Sequence, residues 1–527
     1  MTSSSPPLPP LLCPSLPPSP LLKPASASAS EAPFAFSPPS SIIIIGSGVF
    51  GLGTAWALAR RPAFSQCSIT VVDRSDPSQS RPDVFPAPDA ASVDTSRIIR
   101  ADYYDAAYAA LAAEAQVHWR EQAKPTDLGA QGRYNESGLV LVADLPHGTA
   151  VPPSPPGAET AVAQHAAPAK KKTGMDYARG SWANVLSLAS NDPSLTSRIH
   201  ELPNAAAIRD AVGTGGGSGS WGYINEASGW ADAGASMAWL VDRVQDTGRV
   251  KFVAATALAL EHQGTTVTGA KLSDGCVLSA ELVVVAAGAW TGGLIDLAGQ
   301  ATATGQVLGY LDITEAEQEQ LGRMPALLNL TTGLFVIPPA KRVLKVARHA
   351  YGYLNPTKLA TAPLPSSSAG SASALAFSHP LTHLSDLSLA IPKEGADDLR
   401  RALGEMVPLP GLRDRPFSKT RLCWYMDTPT ADFLIDYHPN FQGLFVATGG
   451  SGHAFKFMPV IGDKIVDCMM HNCPRQFEGK WAWKPVTTTG GTVWSSVVTE
   501  DGTRGGTPGL VLADELVKGV TRHYPSR

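Results

Sequence analysis

Four groups of residues carry side chains suited to chemistry. The first, Gly46-Ser-Gly48-Val-Phe-Gly51, fits G-x-G-x-x-G, with an acid, Asp73, about 20 residues on. Glycines there allow a tight turn, close approach of a pyrophosphate and close helix packing, and the acid suits a ribose hydroxyl. The second is Arg421-Leu-Cys423-Trp424-Tyr425. Its cysteine is open to three readings: an inert buried thiol, a nucleophile, or a covalently occupied sulfur. A neighbouring cation such as Arg421 favours the reactive thiolate. The third is Arg97 and Arg100, three apart, which on a helical turn would point to neighbouring positions. Such a pair ordinarily marks a solvated face, yet the guanidinium fork also matches a carboxylate. In the fourth, Lys345 and His349 share one pleat face of an alternating run. A cation held over a redox centre stabilises negative charge as it develops. Lys456, in "GHAFKF", reads by itself as a snorkelling lysine among aromatics.

The elements that must position these groups are legible in part. In "SIIIIGSGVFGLGTAWALARR" the isoleucines read as a doubly buried strand, the segment Gly51–Arg60 as a helix, and "SITVVDRS" as the next strand. That strand–turn–helix–strand unit predicts a parallel sheet. "AELVVVAAGAW" reads as its third strand and "GLFVATGG" as a fourth. Between them "SGLVLVAD", "VLGYLDI", "LFVIPP" and "RVLKVARHAYGY" have the β-branched alternation of antiparallel strands. Two breaker-rich stretches, "PHGTAVPPSPPGAETAVAQHAAPAKKK" and "LATAPLPSSSAGSASALAF", read as surface insertions.

Bulk properties exclude several classes. The 527 residues carry a formal net charge of −4, which gives no electrostatic reason for a nucleic-acid partner. No apolar run is long enough to span a bilayer. The six cysteines (Cys13, Cys67, Cys276, Cys423, Cys468, Cys473) form no Cys-x-x-Cys pair and no zinc spacing, so no metal is expected and a reducing compartment is. The Pro/Ser/Ala tract over 1–40 is expected to be disordered and lacks the features of a secretory or mitochondrial leader.

Taken in order, the phosphate loop, "DTSRIIRADYYDAAYAALAAEAQVHWRE", "RVLKVARHAYGY" and "ATGGSGHAFKF" resemble monomeric sarcosine oxidase and its fungal relatives, the fructosyl amino acid, L-pipecolate and saccharopine oxidases. These are flavoenzymes of the D-amino acid oxidase superfamily. The likeness runs from Ser41 to about Met470, outside both insertions, and "WAWKP" resembles the fungal branch. It implies an α/β plus β fold, an FAD-binding Rossmann-type (glutathione-reductase-like) domain with an inserted antiparallel-sheet substrate domain. The expected divisions are 41–130, 223–295 and 424–527 for FAD, and 131–222 and 296–423 for substrate.

The resemblance implies that Cys423 forms a thioether to FAD, and that Gly46, Gly48, Gly51, Asp73, Ser96, Arg97, Val253, Gly288, Trp290, Gly449, Gly452, His453 and Lys456 line the cofactor. Arg97 would lie against the flavin ring, and His453 would anchor its edge. Arg100 and Lys456 would bind a substrate carboxylate, Lys345 would serve oxygen reduction, and His349 with Tyr425 would touch the substrate amine. The implied reaction oxidises an amino acid to an imine while oxygen becomes hydrogen peroxide. Ser96-Arg97 stands where amadoriases carry Asn-Lys, which favours a secondary amine of the sarcosine, pipecolate or saccharopine type over a glycated amino acid. A monomer is expected, in the cytoplasm or the peroxisome, although "YPSR" lacks a terminal leucine. The competing readings are a glycated-amino-acid oxidase, a nicotinamide-dependent dehydrogenase and a retired flavoprotein serving as a binding protein.

Overall fold

The computed structural model describes residues 36–76, 85–145, 172–297, 299–358, 360–366, 377–485 and 497–521. The expected disorder before residue 36, most of both expected insertions and the final six residues lie outside these. The chain divides into two compact units, Met1–Ser37 and Pro38–Arg527. Phe36 and Ser37, the described residues of the first unit, have irregular backbone. Among the described residues no helix is long and apolar enough to cross a membrane.

Within Pro38–Arg527, a six-stranded sheet runs in the order Leu434–Tyr437, Leu444–Thr448, Leu282–Val285, Ser41–Ile45, Ser68–Asp73, Val250–Ala254. Its last five strands are parallel, and Leu434–Tyr437 is an antiparallel edge. Ser41–Ile45 occupies an interior position with both faces covered, which is why it is a run of isoleucines without alternation. The helix Val49–Arg60 follows it at once. A side chain at Gly51 would place its Cβ 1.9 Å from the Gly46 carbonyl, so strand and helix meet only because the residue is glycine. Farther along, Gly53 abuts Gly462 of the helix Met458–Met469, where a Cβ on Gly462 would lie 2.0 Å from the Gly53 carbonyl. That contact docks the helix after Lys456 directly on the phosphate-loop helix.

An eight-stranded sheet runs in the order Lys419–Asp427, Thr302–Asp312, Val343–Arg348, Leu334–Ala340, Ala326–Asn329, Leu139–Ala143, Trp221–Asn225, Ile199–Leu202. It is antiparallel except where Leu139–Ala143 runs parallel to Ala326–Asn329, a departure from the fully antiparallel sheet expected. Two expected boundaries, at 222/223 and 423/424, fall inside strands of this sheet. Along Lys419–Asp427 the period of two sorts the side chains. Leu422 and Trp424 enter the large core that also holds Leu399, Leu403 and Phe417. Cys423 faces the other way, into a small cluster with Leu308, Tyr310 and Ala347, with Ala91 and Tyr425 against it.

Arg97 and Arg100 are not on a helix. Arg97–Ile99 is a short strand paired to Gly229–Ala231. An odd separation on extended backbone sends the two arginines to opposite sides, and each serves a different part of the site.

Candidate active site

Every parallel strand of the six-stranded sheet contributes the loop at its C-terminal end to one cavity of about 560 Å³. These loops are Gly46–Phe50, Asp73–Arg74, Ala255–Leu258, Ala286–Trp290 and Gly450–Gly452 with Ala454 and Phe455, and the far wall is Trp424–Met426. Ligands of open α/β sheets sit at such strand ends. Of the residues expected along the cofactor, Gly46, Gly48, Asp73, Arg97, Gly288, Trp290 and Gly452 line this cavity, together with Tyr425. Gly51, Ser96, Val253, Cys423, Gly449, His453 and Lys456 are not among the lining residues. Gly51 supports the loop from behind, Val253 is a partly buried core residue one strand-end short of the lining, and Gly449 makes the turn (φ +72).

Several features fit an adenine dinucleotide. Gly48 caps the helix Val49–Arg60 without a side chain, leaving the anion-favouring N–H groups of its first turn toward the cavity. The buried Ser47 hydroxyl has no hydrogen-bond partner among the described residues. Gly288, at φ +53, presents only open space where a Cβ would stand. Asp73 accepts the Ser47 N–H at 2.9 Å on one oxygen, and the Ser75 N–H and hydroxyl at 3.0 and 2.7 Å on the other. Arg74 lies 4.2 Å over the Trp290 ring and closes one rim.

Behind the Tyr425 wall, a residue that the sequence reading passed over organises the centre. Asp94, with a 1% exposed side chain, pairs with Lys345 Nζ at 2.7 Å, with Arg97, and with the Tyr310 hydroxyl at 2.6 Å. Burial alone would raise the Asp94 carboxyl, but the charges of Lys345 and Arg97 overturn that and hold it well below the usual range. Burial brings Lys345 down to about 8, against the upward pull of Asp94. Lys345 Nζ also donates to the Ser96 carbonyl at 2.7 Å. Ser96 therefore contributes its backbone, not a hydroxyl directed at the cavity.

Cys423 is 2% exposed, and its sulfur lies 3.7 Å from Arg97 Nη2. The cation in contact with the thiol is thus Arg97. Arg421, the local candidate, instead spends its guanidinium on the Val93 and Ala90 carbonyls at 2.6 and 2.8 Å, fixing the loop that carries Asp94.

Two further cations converge beyond Arg97. Lys456 Nζ donates to the Tyr103 hydroxyl at 2.8 Å and to the His453 carbonyl at 3.0 Å, and Arg100 lies 4.7 Å over the Tyr103 ring. Burial, and next the Arg100 charge, push the Lys456 amine well below its ordinary value. Arg100 is 7% exposed, and its Nη1 has no hydrogen-bond partner among the described residues. Two mutually repelling buried cations with spare donors make a site that gains most from an anion. His453, expected at the flavin edge, has both ring nitrogens engaged elsewhere, with Tyr103 at 3.0 Å and the Ala431 carbonyl at 2.8 Å. Its ring stacks on Phe433, and its Nδ1 and backbone carbonyl contact Tyr103 and Lys456.

His349 lies just past the strand Val343–Arg348 and tilts toward Tyr425 at 5.8 Å. Arg504 Nη1 approaches its Nδ1 at 3.5 Å, and Thr503 Oγ1 stands 3.1 Å from Nε2. An arginine only donates, so Nδ1 accepts and Nε2 carries the proton. Thr503 in turn donates to Asp501 at 2.8 Å. Burial, then the charges of Arg504 and Arg100, hold His349 well below its ordinary pKa, so it stays neutral. Arg504 is locked by Asp427 at 2.7 Å and by the Ser451 carbonyl at 3.0 Å. Nothing in "EDGTRGGTPG" marks Thr503 or Arg504 as site residues. Tyr103 and Asp94, by contrast, lay within a stretch already singled out.

Comparison with known proteins accords with this geometry. The family described as FAD dependent oxidoreductase matches residues 41–468. The chain is 33% identical over 476 residues to the amino acid oxidase imqH of Aspergillus flavus, spanning 82% of this chain and 93% of that one. It is 26% identical over 465 residues to the L-saccharopine oxidase of Schizosaccharomyces pombe, spanning 84% and 93%. In fold it is similar to amadoriase I of Aspergillus fumigatus (TM-score 0.66, 24% identity, 92% and 97% covered) and to the fructosyl peptide oxidase of E. terrenum (TM-score 0.68, 23% identity, 90% and 96% covered). The nicotinamide-dependent alternative is set aside by the family match. Matched by that family over residues 41–468 and sharing most of its length with these relatives, the chain belongs to the FAD dependent oxidoreductase family and is an oxidase enzyme of that family.

Proposed function

We propose that the protein is an FAD-dependent amino acid oxidase acting on a secondary-amine amino acid, with the six-stranded sheet as its Rossmann-type FAD domain and the eight-stranded sheet as its substrate domain. The observation that carries the amino acid reading is the pair of buried cations, Arg100 and Lys456, that both contact Tyr103. A carboxylate bound by both would answer the unpartnered Arg100 Nη1 and relieve their repulsion. The cavity loops would hold FAD, with Cys423 as its covalent anchor and Arg97 stabilising the thiolate that reacts. FAD held by these loops would supply the two-electron redox chemistry between the substrate C–N unit and dioxygen.

The chain's own residues do the rest. Arg100 and Lys456 bind and orient the carboxylate, which aims the amine toward Tyr425 and the neutral His349. Thr503 and Arg504 hold His349 in one tautomer, so its charge does not compete with the substrate amine. Buried Trp424 and the Tyr425 wall exclude water, which strengthens the fixed charges. Lys345, held by Asp94, provides a localised positive charge where oxygen gains electrons. The imine product then hydrolyses in water.

A screen of N-methyl amino acids, pipecolate, saccharopine and fructosyl amino acids for peroxide release tests the reading. Turnover of a secondary-amine amino acid is expected, with KM raised about 30-fold or more in Arg100→Ala from loss of about 2 kcal/mol of charge-assisted binding. Turnover of glycated amino acids alone would transfer the enzyme to that class. A KM unchanged in Arg100→Ala would remove the carboxylate clamp.

A further inference from the structure

The helix Met458–Met469, which the phosphate-loop helix supports, ends in a reversal of the chain. His471 takes a left-handed conformation (φ +57); its N–H donates to the Cys468 carbonyl at 3.0 Å, and the Asn472 N–H donates to the Asp467 carbonyl at 2.8 Å. This doubly bonded turn is the usual way a helix stops and folds back on its last turn. Here it folds the chain back so that Cys473 stands across the turn from Cys468. Both are free cysteines. Cys468 is buried, whereas Cys473 is reachable from solvent. Arg61 braces the turn, bonding Asp467 at 2.8 Å and touching the Met470 sulfur at 3.6 Å.

Access sets their order of reaction, because Cys473 is part-exposed whereas Cys468 is 7% exposed. The contact with Cys468 lowers the Cys473 thiol, against burial and the nearby Glu478, Asp436 and Asp467 carboxylates. Cys468 is raised by the same contact and by burial. An accessible sulfur across a turn from a buried one is the arrangement of an attacking and a resolving cysteine. The proposed catalytic reading gives neither residue a task, and Cys423 is assigned elsewhere.

We propose that Cys468 and Cys473 form a peroxide-oxidisable dithiol, a modification site at the end of the helix that follows Lys456. The Cys473 thiolate attacks one oxygen of hydrogen peroxide. An S–O bond forms, the O–O bond breaks, and hydroxide leaves to take up a proton. The sulfur of the resulting sulfenic acid is then attacked by Cys468, whose proton departs with the second hydroxide as water. In sum, two thiols and one peroxide give one disulfide and two waters; sulfur is oxidised by two electrons and peroxide is reduced by two. The source of oxidant in the cell rests on the oxidase reading above, because an amine oxidase releases hydrogen peroxide beside its own surface.

The test adds peroxide directly and so stands apart from that reading. Full-length holoprotein is treated with hydrogen peroxide, its remaining thiols are blocked, and it is digested with trypsin. Cleavage after Lys464 and Arg475 yields one peptide, Ile465–Arg475, holding both cysteines. The expected product has lost two hydrogens, regains them with a thiol reductant, and forms about tenfold faster than oxidation of exposed Cys276, whose thiol Asp274 holds up. Cys468→Ser should trap the sulfenic acid on Cys473, captured by dimedone, and Cys473→Ser should give neither disulfide nor label on Cys468. Two alkylated cysteines at peroxide doses that oxidise Cys276, or Cys473 passing to sulfinic acid without loss of two hydrogens, would overturn the proposal. A protein that forms the disulfide yet oxidises no amine would fail the catalytic reading alone.

Discussion

Replacing Asp94 by asparagine should move the alkaline limit of oxygen reduction to lower pH. Asp94 lies 2.7 Å from Lys345 Nζ and is almost fully buried, so solvent screens the pair little. A unit-charge pair at 2.7 Å interacts by about 6 kcal/mol at an effective dielectric of about 20. Even about a quarter of that corresponds to about one pH unit for the lysine. In the native protein Lys345 titrates at about 8, so its charge is present below that pH and lost as pH rises through it. Asp94 raises this value by favouring the charged amine. Removing the carboxylate therefore lowers it further, and at neutral pH the lysine loses charge. Asparagine keeps an oxygen for the Tyr310 hydroxyl, which donates to Asp94 at 2.6 Å, so the substitution acts chiefly through charge. Leaving Arg97 and Lys345 without their counter-charge should also cost about 3 kcal/mol of stability, measured separately as an unfolding midpoint. The assay is rapid mixing of substrate-reduced enzyme with oxygenated buffer across pH, following flavin reoxidation. Wild type should slow as pH rises through about 8, and Asp94→Asn should slow at least about one unit lower while flavin reduction changes less. A limb that stays in place, or moves upward, would refute the assignment of that charge to Lys345 and of its support to Asp94.

Cys423→Ala should release its flavin on acid precipitation. The wild-type band on a denaturing gel should fluoresce and the variant band should be dark, and a dark wild-type band would rule out the covalent link. Gly452→Ala forces a Cβ to 2.4 Å from the Tyr425 ring at φ +72, so the variant should lose about 1–3 kcal/mol and its substrate KM should rise. An unfolding midpoint equal to wild type would mean that the Tyr425 wall yields freely and does not shape the site.

Much of the nucleotide side was legible because its determinants are local. Gly46 takes a left-handed φ of +108 and a Cβ on Gly51 would stand 1.9 Å from the Gly46 carbonyl, constraints that act within a few residues, and the Ile42–Ile45 run reports burial on both faces wherever the strand lies. The structure makes Lys419–Asp427 a strand, and its two-residue period sets Cys423 and Tyr425 on one face beside Ala91 and Leu308. The reading of Arg97 and Arg100 as neighbours on a helix failed for an equally plain reason. Spacing of three has no meaning until the backbone conformation is known, and pairing to Gly229–Ala231 made that stretch extended.

What tertiary structure decided was charge. Asp94 is an unremarkable acid in a turn until the loop from Ala90 to Val93 is tied down by Arg421, some 330 residues away, and Lys345 is brought under it. Likewise Arg504 and Thr503 meet His349 only because a late segment lies along the strand end at Gly333 and Gly505. The amino-acid order specified which residues could bind phosphate, thiolate and carboxylate, since those capacities belong to side chains and to backbone over a few residues. Whether a lysine is a solvated surface charge or a buried cation near neutral pH depends on burial and on partners distant in the chain. Coulomb energies and desolvation follow distance in space, and only the folded chain sets that distance.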